Sequence, residues 1–167
     1  MFCFAGRRAN LHLQLRYVRS ILAKHTELEY HVWNLARNSD DDHYVRGIEG
    51  ERITVVNDLY GGDPWRCFAD VYRYYAARRF SDRLFVKIDD DVVFVEANQF
   101  ASFIAAATGN RQSVISATVI NNAACTAVDP QLNAAVRPWE CPCWSSTKAQ
   151  RSPRSATAIF TSIGHSW

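Results

Sequence analysis

The sequence predicts an α/β fold, a single domain with a mainly parallel sheet flanked by helices, on three observations. Short apolar runs of strand length alternate with segments of helical periodicity from the first residues to about Asn121. One run, Leu84 to Ile88, is nearly continuous in apolar residues, as expected of a strand buried on both faces. The chain has 167 residues, of which 48% are hydrophobic and 22% charged, enough for one core and far from a disordered composition.

The elements follow in order. Phe2 to Ala5 is a short apolar strand closed by Gly6, and Leu11, Leu15, Val18 and Leu22 then recur at helical spacing. Glu29 to Leu35 predicts a second strand. Ser39, followed by Asp40, Asp41 and Asp42, predicts a helix start, with a hydroxyl cap and carboxylates at the positive end of the helix dipole. Ile53 to Val56 is a third strand, ending at Asn57-Asp58 before Gly61-Gly62. Asp63-Pro64 opens the clearest helix, whose face is marked by Trp65, Phe68, Ala69, Tyr72, Tyr75 and Ala76. After the strand at 84–88, a helix carries Phe100, Phe103, Ile104 and Ala107 and stops at Gly109-Asn110. Val114 to Ile120 supplies one more strand. The domain is expected over residues 1–136. Residues 137–167, rich in Ser, Ala, Thr and Pro, with four basic side chains against Glu140 alone, are expected to form an irregular or disordered tail.

A net charge of +2, spread along helices rather than gathered, excludes a general polyanion binder, so no nucleic-acid partner is expected. No stretch approaches the roughly 18 apolar residues of a membrane span. The start turns basic too early for a signal peptide, so a cytoplasmic location is expected. Five cysteines is an odd number, and Cys3 and Cys67 fall in predicted core segments, which favours buried thiols over a disulfide framework. Cys141-Pro142-Cys143 lacks the spacing of a zinc knuckle.

Two acidic triplets take opposite readings. Asp40 to Asp42 suit a solvated helix start. Asp89 to Asp91 follow a buried strand, where three adjacent carboxylates repel one another and lose hydration unless a cation offsets them. An extended backbone there places Asp89 and Asp91 on one side, as a pair able to share a metal, and Asp90 on the other. Mn²⁺ or Mg²⁺ suits such a pair, being a hard cation that takes one or two carboxylates and completes its shell with phosphate oxygens and water. The bland alternative is a polar turn that caps the next helix.

The segment Phe85-Val86-Lys87-Ile88-Asp89-Asp90-Asp91-Val92-Val93-Phe94-Val95 resembles the acidic signature of metal-dependent glycosyltransferases with the GT-A fold, above all the β-1,3-galactosyltransferase-like enzymes. With the upstream order of elements, the resemblance covers about residues 1 to 122. It implies a Rossmann-like nucleotide-binding sheet, a nucleotide-sugar donor (a UDP-sugar) and a glycan, protein or small-molecule acceptor. It also implies that Asp91 is the main metal ligand, that Asp89 supports it directly or through water, and that Asp90 faces the ribose. The end of the first strand, Ala5-Gly6-Arg7-Arg8, is then expected beside the base and diphosphate, with Gly6 allowing a close backbone approach and an Arg meeting phosphate. Asp58 is a further candidate for the uracil or ribose. A base at the acceptor hydroxyl comes from downstream of the metal motif in such folds, where Asp129 and Glu140 are the available acids. Many such enzymes finish with a His that completes the metal shell, and His165, in the biased tail, is the candidate for that part. The chain is expected to be short in the acceptor-binding half, or altered at its C-terminus.

Two other readings fit the same residues. A non-catalytic nucleotide-sugar-binding module would keep the donor half alone. A haloacid-dehalogenase-type phosphohydrolase would use Asp89 as nucleophile and Asp91 as acid/base, although its signature strand normally comes first in the chain.

Overall fold

Three short β-branched and aromatic runs form a parallel sheet in the order of the sequence: β1 (Phe2–Ala5), β2 (Tyr30–Asn34) and β3 (Ile53–Val56). Phe2 lies opposite His31 in β2, and Tyr30 lies opposite Ile53 in β3. The protein is seen in a computed structural model that describes residues 1–57, 64–110, 112–115 and 117. Together the sheet and its helices make a small α/β domain.

The free side of β1 is taken by residues 84–88. The Phe2 N–H donates to the Val86 carbonyl at 2.8 Å, and the Ile88 N–H donates to the Phe2 carbonyl at 2.9 Å. These bonds flank a single parallel bridge between Phe2 and Lys87. The expected strand is therefore one bridge rather than a ladder, because the chain leaves the sheet in a turn directly after Ile88. Even so, β1 is an inner strand, with β2 on one side and the 84–88 segment on the other.

Alternation along each strand sends side chains to two covered faces. Cys3, Ala5, Tyr30, Val32, Val86 and Ile88 lie on one face, against Leu11, Leu15, Val18, Ile21 and Leu22 of α1 (Arg8–Lys24) and Val45 of α2 (Ser39–Arg46). Phe100 of α4 (Phe100–Gly109) joins that cluster. On the other face Phe2, Phe4, Trp33 and Phe85 meet Val71 and Tyr75 of α3 (Pro64–Tyr75). The periodicity of α1 thus marks its buried face, and both sides of the sheet are closed by helices, as parallel strands require. Cys3 and Cys67 are buried thiols.

Several sequence expectations shift in detail. Asn38, not Ser39, caps α2: its side-chain oxygen accepts from the Asp41 N–H at 2.8 Å, and Ser39 becomes the first helical residue. The amide wins this place because Asn38 has the extended backbone a cap needs. The acidic triplet at 89–91 caps no helix, since α4 begins ten residues later behind Gln99. Residues 112–115 and 117 carry no strand. Asp58, Asp63, residues 118–136 and the tail at 137–167, with the Cys141-Pro142-Cys143 pair, lie outside the described residues.

At the far end of α1, Arg52 adopts a left-handed backbone with φ of 61°. Its guanidinium donates to the carbonyls of Leu22 at 2.6 Å and His25 at 2.8 Å, at the end of the helix, where carbonyls lack the usual helical partners. That anchor fixes the C-terminal end of α1, and the opposite end meets the acidic turn. Among the described residues no helix is long and apolar enough to cross a membrane.

Candidate functional site

Two chain segments leave the sheet side by side at the carboxyl ends of β1 and of residues 84–88. The first is Gly6-Arg7, which leads into α1. The second is Asp89-Asp90-Asp91, which does not stay extended: the Val92 N–H donates to the Asp89 carbonyl at 3.1 Å, closing a four-residue turn with Asp90 and Asp91 at its tip. The alternation expected of an extended strand is lost there. Asp90 and Asp91 instead face the same neighbour, Arg7.

The Gly6 N–H donates to Asp90 Oδ2 at 3.0 Å. Arg7 Nη1 lies 3.6 Å from Asp90 Oδ1 and 3.3 Å from Asp91 Oδ2. A side chain at Gly6 would be tight against the Leu35 backbone rather than against Asp90. A Cβ at its position would sit 3.1 Å from the backbone carbonyl oxygen of Leu35 and 3.6 Å from Asp90 Oδ2. Leu35 itself is fixed, since its N–H donates to the Ala5 carbonyl at 2.7 Å. Burial pushes the Asp90 carboxyl above the ordinary aspartate range, opposed by Arg7 and the Gly6 N–H and reinforced by Asp91 and Asp89.

Asp89 turns the other way, its Oδ1 held by the ammonium of Lys87 two residues earlier. Lys87 is largely buried and also lies over the Phe4 ring, 5.5 Å from its centroid. Asp91 is the exception in the triplet. Its Oδ1 is buried and has no hydrogen-bond partner among the described residues. A buried carboxylate oxygen left unpaired is costly, and a structural turn would be expected to satisfy it.

This arrangement fits a hard divalent cation. The donor that the turn offers is Asp91, whose Oδ1 is the orphan, whereas Asp89 is turned toward Lys87 and its Oδ1 is already paired. No group of three His, Cys, Asp or Glu side chains among the described residues is arranged to hold a metal ion. Protein ligands would then be one or two carboxylates, the number that Mg²⁺ or Mn²⁺ takes when phosphate oxygens and water complete the shell.

Of the residues singled out from the sequence, Ala5, Gly6, Arg7, Asp89, Asp90 and Asp91 are brought together. Arg8 is not. Its guanidinium lies over the Tyr44 ring, 5.5 Å from the centroid, and its N–H donates to Asp41 Oδ1 at 2.9 Å, so it belongs to the contact between α1 and α2. The other triplet is more than a solvated helix start. Asp42 accepts from Asn34 Nδ2 at 2.7 Å and Arg46 Nε at 2.8 Å, tying the end of β2 to α2. Those bonds, Arg46 first, lower its carboxyl below the ordinary range. Asp58, Asp129, Glu140 and His165 lie outside the described residues.

Sequence reasoning passed over Gln14. It lies on the buried face of α1, three residues from Leu11, and is fully buried. Its Nε2 donates to the Asp89 carbonyl at 2.6 Å and the Val92 carbonyl at 2.9 Å, and its Oε1 accepts from the Tyr30 hydroxyl at 2.6 Å. A polar residue in a core register position was the available signal. No family model matches the chain, and no curated protein or solved structure matches it.

Proposed function

We propose that the protein is a metal-dependent glycosyltransferase that takes its sugar from a nucleotide-sugar, a UDP-sugar, and that the turn at Asp89 to Asp91 is where a Mn²⁺ or Mg²⁺ ion and the donor diphosphate meet. The observation that carries this reading is the orphaned, buried Oδ1 of Asp91 at the carboxyl ends of two adjacent parallel segments. Residues 84–88 lie on the opposite side of β1 from β2, so the strand order reverses at this point. Ligands of open α/β sheets bind in the crevice at such a reversal. The GT-A-like resemblance of the acidic segment is in keeping with this location.

The chemistry assigned to the chain's own residues follows from charge. Asp91 would hold the cation, with Asp89 in support through a water, and the cation when bound would offset the negative charge that grows on the diphosphate as the sugar–phosphate bond breaks. Arg7 is a second positive group, within reach of the same oxygens through its exposed guanidinium. Lys87 orients Asp89 through a charge-assisted hydrogen bond.

The test is calorimetric titration of UDP with Mn²⁺, repeated in excess EDTA and with Asp91→Asn. Affinity should fall sharply on chelation and by about tenfold or more in the variant, which loses a charge that attracts a hard cation. The variant's melting temperature without metal should hold or rise, because the orphaned Oδ1 makes no hydrogen bond to lose and one of three repelling charges is removed. A destabilised variant with unchanged UDP affinity would sink the proposal.

A further inference from the structure

Gln14 makes more contact with the acidic turn than any sequence motif suggests. Its two amide hydrogens go to the two ends of that turn, the carbonyls of Asp89 and Val92, at 2.6 Å and 2.9 Å. Both partners can only accept, so the nitrogen must face them and the oxygen must face away. The Tyr30 hydroxyl, donating to Oε1 at 2.6 Å, locks that orientation from the centre of the sheet. Gln14 and Tyr30 are both fully buried. Every strong hydrogen-bonding valence of the amide nitrogen is used, and helix, sheet and turn are joined in one satisfied network.

This network does something that packing alone would not. The Asp89 carbonyl also receives the Val92 N–H. The distance between the ends of the turn, and with it the direction of the Asp90 and Asp91 side chains, is therefore set from both sides. We propose that Gln14 is a positioning residue for the cation site: it touches no ligand and acts by fixing the backbone from which Asp89 and Asp91 project. This rests on the functional reading above, and it adds a residue seventy-five positions from Asp89 in the chain, on a helix rather than a loop. An apolar residue of similar size would keep the core filled while leaving the Val92 carbonyl and the Tyr30 hydroxyl without these partners.

The experiment compares Gln14→Met with Val18→Ala, a core change in the same helix at a fully buried position that has no bond to the turn. Both variants should lower the melting temperature. Mn²⁺ affinity, measured by calorimetry at a temperature where all proteins are folded, should fall about tenfold or more in Gln14→Met, the usual scale for groups that orient metal ligands. It should be unchanged in Val18→Ala. Equal affinity of Gln14→Met and the parent, or an equal loss in Val18→Ala, overturns the proposal. If Gln14→Met does not fold, Tyr30→Phe decides: it keeps the ring and removes only the hydroxyl that orients the amide, so weakened Mn²⁺ binding supports the proposal and unchanged binding overturns it. Absence of Mn²⁺ and Mg²⁺ binding by the parent protein would refute the functional reading instead. Amide exchange of Val92, whose N–H closes the turn, would then judge the clamp: faster exchange in Gln14→Met than in Val18→Ala supports it, and equal exchange overturns it.

Discussion

Replacing Arg7 by Gln should move two affinities in opposite directions. In the free protein the Arg7 guanidinium is the cation nearest to Asp90 and Asp91, 3.3 Å from Asp91 Oδ2. A metal ion drawn to Asp91 must compete with it. Coulomb attraction at that distance is about 1.3 kcal/mol in water and about 5 kcal/mol at an effective dielectric of 20. The Arg7 side chain is 60% exposed, so the value belongs near the water limit. Exposed ion pairs measure about 0–1 kcal/mol once screening and side-chain entropy are included. Taking ~1 kcal/mol as the cost of displacing Arg7, Arg7→Gln should bind Mn²⁺ alone about fivefold more tightly.

With metal present the sign reverses. A guanidinium released from the carboxylates is placed to meet the diphosphate, and a charge-assisted hydrogen bond of that kind contributes about 1.5–3 kcal/mol. UDP affinity at saturating Mn²⁺ should therefore fall about tenfold or more in Arg7→Gln. Calorimetry of Mn²⁺ alone and of UDP with saturating Mn²⁺ measures both. Raising the salt should shrink the first effect, since the competing pair is exposed. Weaker Mn²⁺ binding in the variant would refute the reasoning, because it would mean that Arg7 holds the acidic turn in shape rather than competing for it. Unchanged UDP affinity would refute the second half.

Gly6→Ala should lower the melting temperature, because its Cβ would meet the Leu35 carbonyl oxygen at 3.1 Å while hydrogen bonds from the Gly6 and Leu35 N–H groups hold both backbones. Overpacking of this kind costs about 1–3 kcal/mol, and a melting temperature equal to the parent's would show that the approach is looser than described. His31 should make stability depend on pH. Its ring is partly buried, with Nδ1 2.8 Å from the Tyr75 hydroxyl, and burial followed by the charge of the amino terminus holds its pKa below the ordinary 6.5, against the pull of Glu29. The unfolded chain therefore takes up the proton first, so this contribution is present above pH 6.5 and is lost as the pH falls through the lower folded value. Melting temperatures from pH 7.5 to 5 should decline less steeply in His31→Gln than in the parent, and parallel declines would sink the assignment.

The elements that periodicity marks clearly were legible in the sequence, for a physical reason. The face of α1 given by Leu11, Leu15, Val18 and Leu22 is the face that meets the sheet, and the Phe2 to Ala5 and Ile53 to Val56 runs are strands with the expected bounds. Burial of one face writes itself into residue spacing. The cap of α2 was less legible, because Asn38 and Ser39 are both good caps and the choice depends on backbone angles. The apolar character of 84–88 alone predicts a strand. Whether it makes a ladder depends on where the next turn begins, and that turn is fixed by Gln14, seventy-five positions away from Asp89.

The candidate site divides along the same line. Composition and order reveal that three carboxylates follow a buried segment, and the consequence, that some cation must offset them, is sound electrostatics. The sequence does not reveal how the offset is shared. In space Lys87 takes Asp89, while Arg7 reaches Asp90 and Asp91, so three carboxylates face two cations and one negative charge remains. That balance has a consequence for order of binding. A diphosphate approaching the free turn meets net repulsion, whereas a divalent ion meets attraction and reverses the sign of the site. Each ligand then improves the site for the other, and by linkage the gain is the same whichever is measured first. On the proposed function, metal binding that precedes and strengthens diphosphate binding is expected from the charge count around the turn, and it should survive substitutions elsewhere in the fold that leave these five side chains in place.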